Sequence, residues 1–190
     1  QKILVGTRPD KAFTALIFGI VPGMREIVQD GDRVLREVAI AVPEKMFGSP
    51  ELSKLIAEMR EALDKEPEGV ALAAPQVGVS LRLFIVRADR TVSNHQPTNQ
   101  ADIQVYVNPE IVKTSRRRAS GDEGCLSVRG VYGTTKRHER VTVRARRPDG
   151  SSFTRGAGGL MAQIFEHEID HLNGILFIDH AERLIRIPAR

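Results

Sequence analysis

The stretch Leu160-Met161-Ala162-Gln163-Ile164-Phe165-Glu166-His167-Glu168-Ile169-Asp170-His171-Leu172-Asn173-Gly174 decides how this chain is read. Its apolar residues recur at helical spacing, and Asn173-Gly174 is a helix-stopping pair, so the pattern predicts a helix over 160–172. At about 100° per residue from His167, His171 falls near 40°, Leu160 near 20° and Ile164 near 60°. Both imidazoles therefore continue the apolar stripe, one above the other, where they can reach a single metal ion. Glu168, near 100°, flanks the stripe and can take a proton from a metal-bound water without being a ligand. The plainer reading is two histidines lining a core, each needing a hydrogen-bond partner.

Two ligands do not make a site. His95, His138 and His180 do not stand where an H-E-x-x-H protease places its third ligand. Cys125, the single cysteine, lies in Glu123-Gly124-Cys125-Leu126-Ser127, a glycine-containing segment after a polar turn. A thiolate with two imidazoles leaves a tetrahedral divalent metal one open position for water. On its own, Cys125 reads equally as a small buried apolar residue.

Ahead of this segment, Ser49 as N-cap and Pro50 at the first helical position open another helix. It carries Leu52, Leu55, Ile56, Met59 and Leu63 inward and stops by Pro67 and Gly69. A turn at Asp30-Gly31-Asp32 precedes a short apolar series, Val34, Leu35 and Val38. Residues 81–86 read as a buried strand, 88–102 as an exposed loop, 103–107 and 141–145 as half-buried strands, and 148–150 as a turn. Helices and strands in separate groups make the fold class α+β.

With 190 residues, 41% hydrophobic and 27% charged, the chain fits one globular domain and not a disordered, collagenous or coiled-coil one. One cysteine excludes an intramolecular disulfide and fits a reducing compartment. A net charge of +4 is compatible with an anionic neighbour without requiring one. Residues 15–21 form the longest apolar run near the start and are too short to span a bilayer. Residues 1–24 read as an extension of unknown role and 25–190 as one catalytic domain.

A third segment, Gly69-Val70-Ala71-Leu72-Ala73-Ala74-Pro75-Gln76, offers close backbone approach beside an amide donor. In order and spacing, these three segments resemble the motifs G-x-G-x-A-A-x-Q, E-G-C-L-S and H-E-x-D-H of peptide deformylases. Arg25-Glu26-Ile27-Val28, Gly31-Asp32, Asn108-Pro109 and Leu172-Asn173-Gly174-Ile175-Leu176 also look like that family, so the resemblance covers roughly residues 25–180.

The resemblance implies small antiparallel or mixed sheets packed around a central metal-binding helix. It implies that Cys125, His167 and His171 hold one divalent ion, ferrous iron natively, replaceable by zinc, nickel or cobalt. Glu168 would be general base and then acid, with Gln76 and the Leu126 backbone N–H as the oxyanion hole. Gly69, Val70 and Ala71 would pair with the substrate backbone, Gly124 would also bind substrate, and Ile164 would partly line the methionine pocket. The substrates implied are N-formylmethionyl peptides, hydrolysed to formate and a free amino terminus. The partner implied is the ribosome near its exit tunnel, with no membrane and no sequence-specific nucleic acid. The location implied is a bacterial cytoplasm or an organelle of bacterial descent.

Some positions depart from the family pattern. Ala71 replaces a glycine, which strains the backbone if φ is positive and only narrows the groove if it is negative. Glu166 precedes the first histidine, where it can ionise near the metal or point to solvent. Arg129 stands where proline is common and can contact a peptide carbonyl, an RNA phosphate or water alone. Arg137 and Glu123 are placed to pair near the site, or as an exposed ion pair of under about 1 kcal/mol. Arg116-Arg117-Arg118 reads as a solvated loop or a ribosome contact, and Asp170 as a carboxylate outside the ligand set. Other readings are an amidase on a different small N-acyl group and a catalytically silent peptide- or ribosome-binding relative.

Overall fold

A computed structural model describes residues 25–91 and 103–187. The N-terminal extension and most of the loop expected after Ala88 fall outside these residues. Helix α1 (Pro50–Asp64) begins where expected: the Ser49 Oγ accepts the Leu52 N–H at 3.2 Å, and Pro50 occupies the first turn. It buries Leu52, Leu55, Met59, Ala62 and Leu63, each burial worth about 1.5–3 kcal/mol for the larger side chains. Of the short apolar series after Asp32, Leu35 is buried from the single 3-10 turn Arg33–Arg36, whereas Val38, on the extended chain past its C-cap Glu37, is 67% exposed.

Among the described residues, eight strands form two sheets. The first has the order β1 (Ala71–Ala73), β2 (Leu83–Arg87), β3 (Ile103–Thr114), β6 (Arg140–Arg146), β7 (Ser152–Gly158), all neighbours antiparallel. The second runs β4 (Arg118–Cys125), β5 (Val128–His138), β8 (Arg183–Arg186), also antiparallel. Strands β2 and β6 match the expected segments, and the turn at 148–150 joins β6 to β7, with Gly150 at φ +89°. Strand β3 runs well past Val107, and β4, β5, β7 and β8 carry too many glycines and charges to announce themselves. The polar turn expected before Cys125 is the strand β4 itself.

Helix α1 packs on one face of the first sheet with Leu72, Leu83, Ile85 and Val107. Helix α2 (Leu160–Leu172) packs on the opposite face, setting Ala162, Ile164, Phe165, Ile169 and Leu172 against Phe84, Tyr106, Val141 and Val143. Tyr106 stacks on Phe84 at 4.7 Å and takes the edge of Phe165 at 5.0 Å. The second sheet contributes Val128 to a smaller cluster with Leu35, Leu176 and Phe177. Helix α2 is thus enclosed by both sheets, and even its polar residues Glu166, Glu168 and His171 are buried. Asn173 and Gly174 end it; a Cβ on Gly174, at φ +73°, would come within 2.7 Å of the Arg36 carbonyl oxygen. The Arg82 Nη1 donates to the Leu172 carbonyl at 3.0 Å, a cation at the negative helix end.

Strand β3 passes an irregularity between Val107 and Glu110, where Asn108 adopts φ +50°. Its Oδ1 accepts the Val42 N–H at 2.8 Å and its Nδ2 donates to the Val42 carbonyl at 2.9 Å. Asn tolerates this left-handed backbone and its amide fastens the segment before α1 to the sheet. Replacement Asn108→Ala is expected to cost roughly 2–4 kcal/mol, two hydrogen bonds plus left-handed strain. Asn108→Gly is expected to cost less, since only the hydrogen bonds go. Denaturant midpoints at unchanged m-value measure the difference.

Candidate metal centre and active site

The two histidines of α2 meet the end of β4. The Cys125 Sγ lies 3.2 Å from the His171 Nε2, and the ligand atoms of Cys125, His167 and His171 all fall within 4.8 Å of one another. A tetrahedral ion bound to sulfur and imidazole nitrogen has ligand–ligand edges of about 3.5 Å, so the three side chains need little adjustment. A soft sulfur with two imidazoles suits zinc or ferrous iron. The His167 Nδ1 is taken by the Glu123 Oε2 at 3.1 Å, which leaves its Nε2 for an ion. The Ser127 N–H and the Gln76 Nε2 donate to the Cys125 Sγ at 3.4 and 3.5 Å, contacts that hold the sulfur in place.

Gln76 sits in a 3-10 turn (Ala74–Val77) directly after β1 and is only 2% exposed. Its Oε1 accepts the Ala73 N–H at 2.8 Å, so the amide is oriented with its nitrogen toward the sulfur and the Ser127 Oγ. Leu126 occupies the turn of the β4–β5 hairpin, beside the cysteine. Glu168 is 4% exposed, and its Oε2 has no hydrogen-bond partner among the described residues. Burial, the main cause, pushes its pKa up to about 7, which suits a group that must both take and return a proton.

A pocket of about 610 Å³ opens over these groups. Gly69, Val70 and Ala71 form one wall, Gly124 and Tyr132 another, with Ile164, His167 and Glu168 below. Strand β1 is an edge of its sheet among the described residues, and its first residue Ala71, with Gly69 and Val70 just ahead of it, faces the pocket. The structure therefore brings every expected site residue to one place. It also shows that two of the glycines are fixed by packing: a Cβ on Gly124 would meet the Tyr132 ring at 2.9 Å, and one on Gly69 the Leu63 side chain at 2.8 Å.

The departures resolve individually. Ala71 is not among the residues with positive φ, so its methyl narrows the groove without backbone strain. Glu166 neither faces the ligands nor solvent. It is buried, with its Oε2 accepting the His138 N–H and its Oε1 facing the His138 Nδ1, each at 2.7 Å. Arg129 is neither free nor aimed at the ligands: its Nη2 donates to the Glu66 Oε1 at 2.5 Å across the pocket rim. Arg137 and Glu123 do pair, but inside the protein. The Arg137 Nε and Nη2 donate to Glu123 at 2.7 and 3.0 Å, and its Nη1 to the Asp170 Oδ2 at 2.6 Å. Burial alone would raise the Glu123 pKa; bonds from His167 and Arg137 outweigh it and hold the carboxylate below its usual range. Sequence reasoning passed over Ser127 and Tyr132, although Ser127 lies inside the second motif.

A family model described as polypeptide deformylase matches residues 24–186. The chain belongs to the peptide deformylase family. It is 41% identical over 155 residues to peptide deformylase 2 of Pseudomonas putida, covering 81% of this chain and 85% of that one. It is 42% identical over 164 residues to the peptide deformylase of Hydrogenovibrio crunogenus, covering 86% and 89%. A Met-Ala-Ser-bound class I type b peptide deformylase from Acinetobacter baumannii superposes with a TM-score of 0.74 at 34% identity, covering 83% and 99%. Members of the family are metal-dependent hydrolases acting on N-formylmethionyl peptides.

The Glu123 contact fixes the orientation of His167, so Glu123→Gln is expected to weaken zinc binding roughly 10–100-fold. Competition against a chromophoric chelator measures it; unchanged affinity would show that His167 is held by packing alone.

Proposed function

We propose that Cys125, His167 and His171 hold one divalent ion and that Glu168 is the proton-transfer group in hydrolysis of N-terminal formyl-methionine. The observation that carries this is the convergence of the three ligand atoms with the unpartnered, buried Glu168 Oε2 on one pocket. A divalent ion bound there supplies Lewis acidity, which lowers the pKa of a water and polarises the formyl carbonyl. Ferrous iron is the proposed native ion, with zinc, nickel or cobalt able to replace it.

Glu168 takes the proton of the attacking water and returns it to the departing amine, both within the same dry environment. The Gln76 Nε2 and the Leu126 N–H donate to the formyl oxygen as charge builds on it. The open edge of β1 receives the peptide backbone as an added strand through Gly69, Val70 and Ala71. Ile164 contributes to the wall around the methionine side chain, and Gly124 allows close approach beside it. A peptide of the Met-Ala-Ser kind, as seen with the Acinetobacter baumannii relative, is the product such a groove would release.

Residues 25–190 act as one catalytic domain in this reading. Among the described residues no helix is long and apolar enough to cross a membrane. We place the enzyme in a bacterial cytoplasm or an organelle of bacterial descent, working where nascent chains leave the ribosome.

Formate release from formyl-Met-Ala-Ser by anaerobically prepared, iron-loaded protein tests the reading. Glu168→Ala is expected to slow release by roughly 10²–10⁴-fold with metal content unchanged. Gln76→Leu is expected to lower kcat by about 10²–10³-fold. Chelation should abolish turnover and ferrous iron restore it. Faster release of acetate from N-acetyl-Met-Ala-Ser than of formate from the formyl peptide would refute the substrate assignment.

A further inference from the structure

The pocket wall that leads into β1 starts as a turn, Glu66–Gly69, whose shape its own side chains cannot secure. Strand β1 is only three residues long, and the turn lies ahead of it. A Cβ on Gly69 would lie 2.8 Å from the Leu63 Cδ1 and 3.1 Å from the Leu126 Cδ1, so packing admits no side chain there. Glycine is also the residue whose backbone is least restrained. The wall therefore has to be held from outside the turn.

One nitrogen does this. The Arg90 Nη1 donates to the Gly69 carbonyl at 2.6 Å and to the Glu66 carbonyl at 2.8 Å, and it reaches the Leu63 carbonyl at 3.5 Å. The Gly69 N–H donates to the same Glu66 carbonyl at 3.0 Å, which closes the turn around the cation. Leu63 lies in the last turn of α1, where no basic residue stands, so Arg90 also meets the negative end of that helix. Arg90 is itself firmly placed. It ends a 3-10 turn (Ala88–Arg90) that the Thr91 Oγ1 closes by donating to the Ala88 carbonyl at 2.8 Å. Ahead of it the Arg87 Nε and Nη2 donate to the Asp89 carboxylate at 2.9 and 2.8 Å, and the Arg87 Nη1 bonds Asp64 at the end of α1. The Arg87 N–H donates to the Val70 carbonyl at 2.8 Å. Arg87 and Arg90 thus hold two successive carbonyls of the wall, at Val70 and Gly69.

We propose that Arg90 is a positioning residue for substrate binding, fixing the Glu66–Gly69 turn so that the groove already has the width of one extended peptide when the substrate arrives. This rests on the deformylase reading given above. Every residue from Glu66 to Ala71 lines the pocket and Arg90 does not, so it acts through the turn and not on the reacting atoms. Arg129 also meets the turn, through the Glu66 carboxylate, but it is 59% exposed and an ion pair of that kind is screened by water. The Arg90 bonds go to the backbone itself. A wall ordered in advance spares the substrate the cost of ordering it, and that gain appears as affinity. The ion ligands Cys125, His167 and His171 stand on β4 and α2, outside the turn, so metal binding does not depend on Arg90. Because all three carbonyls surround one nitrogen, a lysine ammonium, with its three donors, can replace the guanidinium.

The test is steady-state formate release from formyl-Met-Ala-Ser by full-length, iron-loaded protein. Arg90→Ala is expected to raise KM by about tenfold or more and to leave kcat within about threefold, since the lost bonds serve ground and transition states alike. Arg90→Lys is expected to bring KM back to within about threefold of the wild type. Arg144→Ala, which removes the same charge from an exposed pair with Glu110, is expected to change neither parameter. Calorimetric titration of the zinc-loaded proteins with Met-Ala-Ser is independent of turnover, and Arg90→Ala is expected to weaken that binding by about tenfold or more with metal content unchanged. An unchanged KM in Arg90→Ala, a fall in kcat alone, or a loss that Arg90→Lys does not recover would overturn the assignment. Should Arg90→Ala not fold, Arg90→Gln, which keeps a neutral donor and drops the charge, is judged by the same criteria. A wild type that binds Met-Ala-Ser and releases no formate refutes the catalytic reading, and the calorimetry then decides Arg90 by itself.

Discussion

A helix that carries two imidazoles and a carboxylate into the middle of a small domain must be enclosed on every side and still satisfy its polar atoms. That constraint shapes this protein. The first sheet covers the apolar side of α2 with Phe84, Tyr106 and Val143, and the second sheet covers the side that bears the chemistry. The buried chain His167–Glu123–Arg137–Asp170 is the electrostatic counterpart of that enclosure. Its two carboxylates and one guanidinium turn two strands and a helix into one rigid frame. Losing one partner would strand a charge in a dry interior, a loss typically of about 3–5 kcal/mol.

The same logic explains why the hairpin β4–β5 holds so many of the groups that matter. Its turn delivers Cys125 and Leu126 to the pocket, Ser127 steadies both the Cys125 sulfur and the Gln76 amide, and Arg137 returns on β5 to brace Glu123. Gly124 allows the Tyr132 ring to lie against the strand. The geometry of the candidate site depends on polypeptide segments far apart in sequence, joined by hydrogen bonds and not by apolar contact alone.

Much of the site was legible because its signals are local. The His167–His171 spacing, the Ser49-Pro50 start of α1 and the Asn173-Gly174 stop each follow from one turn of helix. What the sequence concealed depends on tertiary pairing. Residues 118–125 hold two glycines and three charged residues, a composition that reads as a loop; register with β5 makes them a strand. Glu166 looks like a solvent-facing or metal-disturbing carboxylate until His138, brought in from β5, supplies both of its partners. Whether Arg137 and Glu123 were a surface pair or a buried one could not be told from their identities, since burial is set by what packs over them. Ala71 was ambiguous for the same reason, its consequence depending on a backbone angle that residue type does not fix.

The open edge of β1 has a meaning beyond the proposed pairing with substrate. An unpaired strand edge is the feature through which folded proteins join one another into extended sheets, and most proteins shield it. Here the strand is three residues long, and the part that is open, Ala71 with Gly69 and Val70 ahead of it, lies within a pocket walled by the β4–β5 hairpin. Such a recess has room for one extended peptide but not for the broad flank of another sheet. The protein can therefore keep a sticky edge permanently available while remaining dispersed among the unfinished chains it meets.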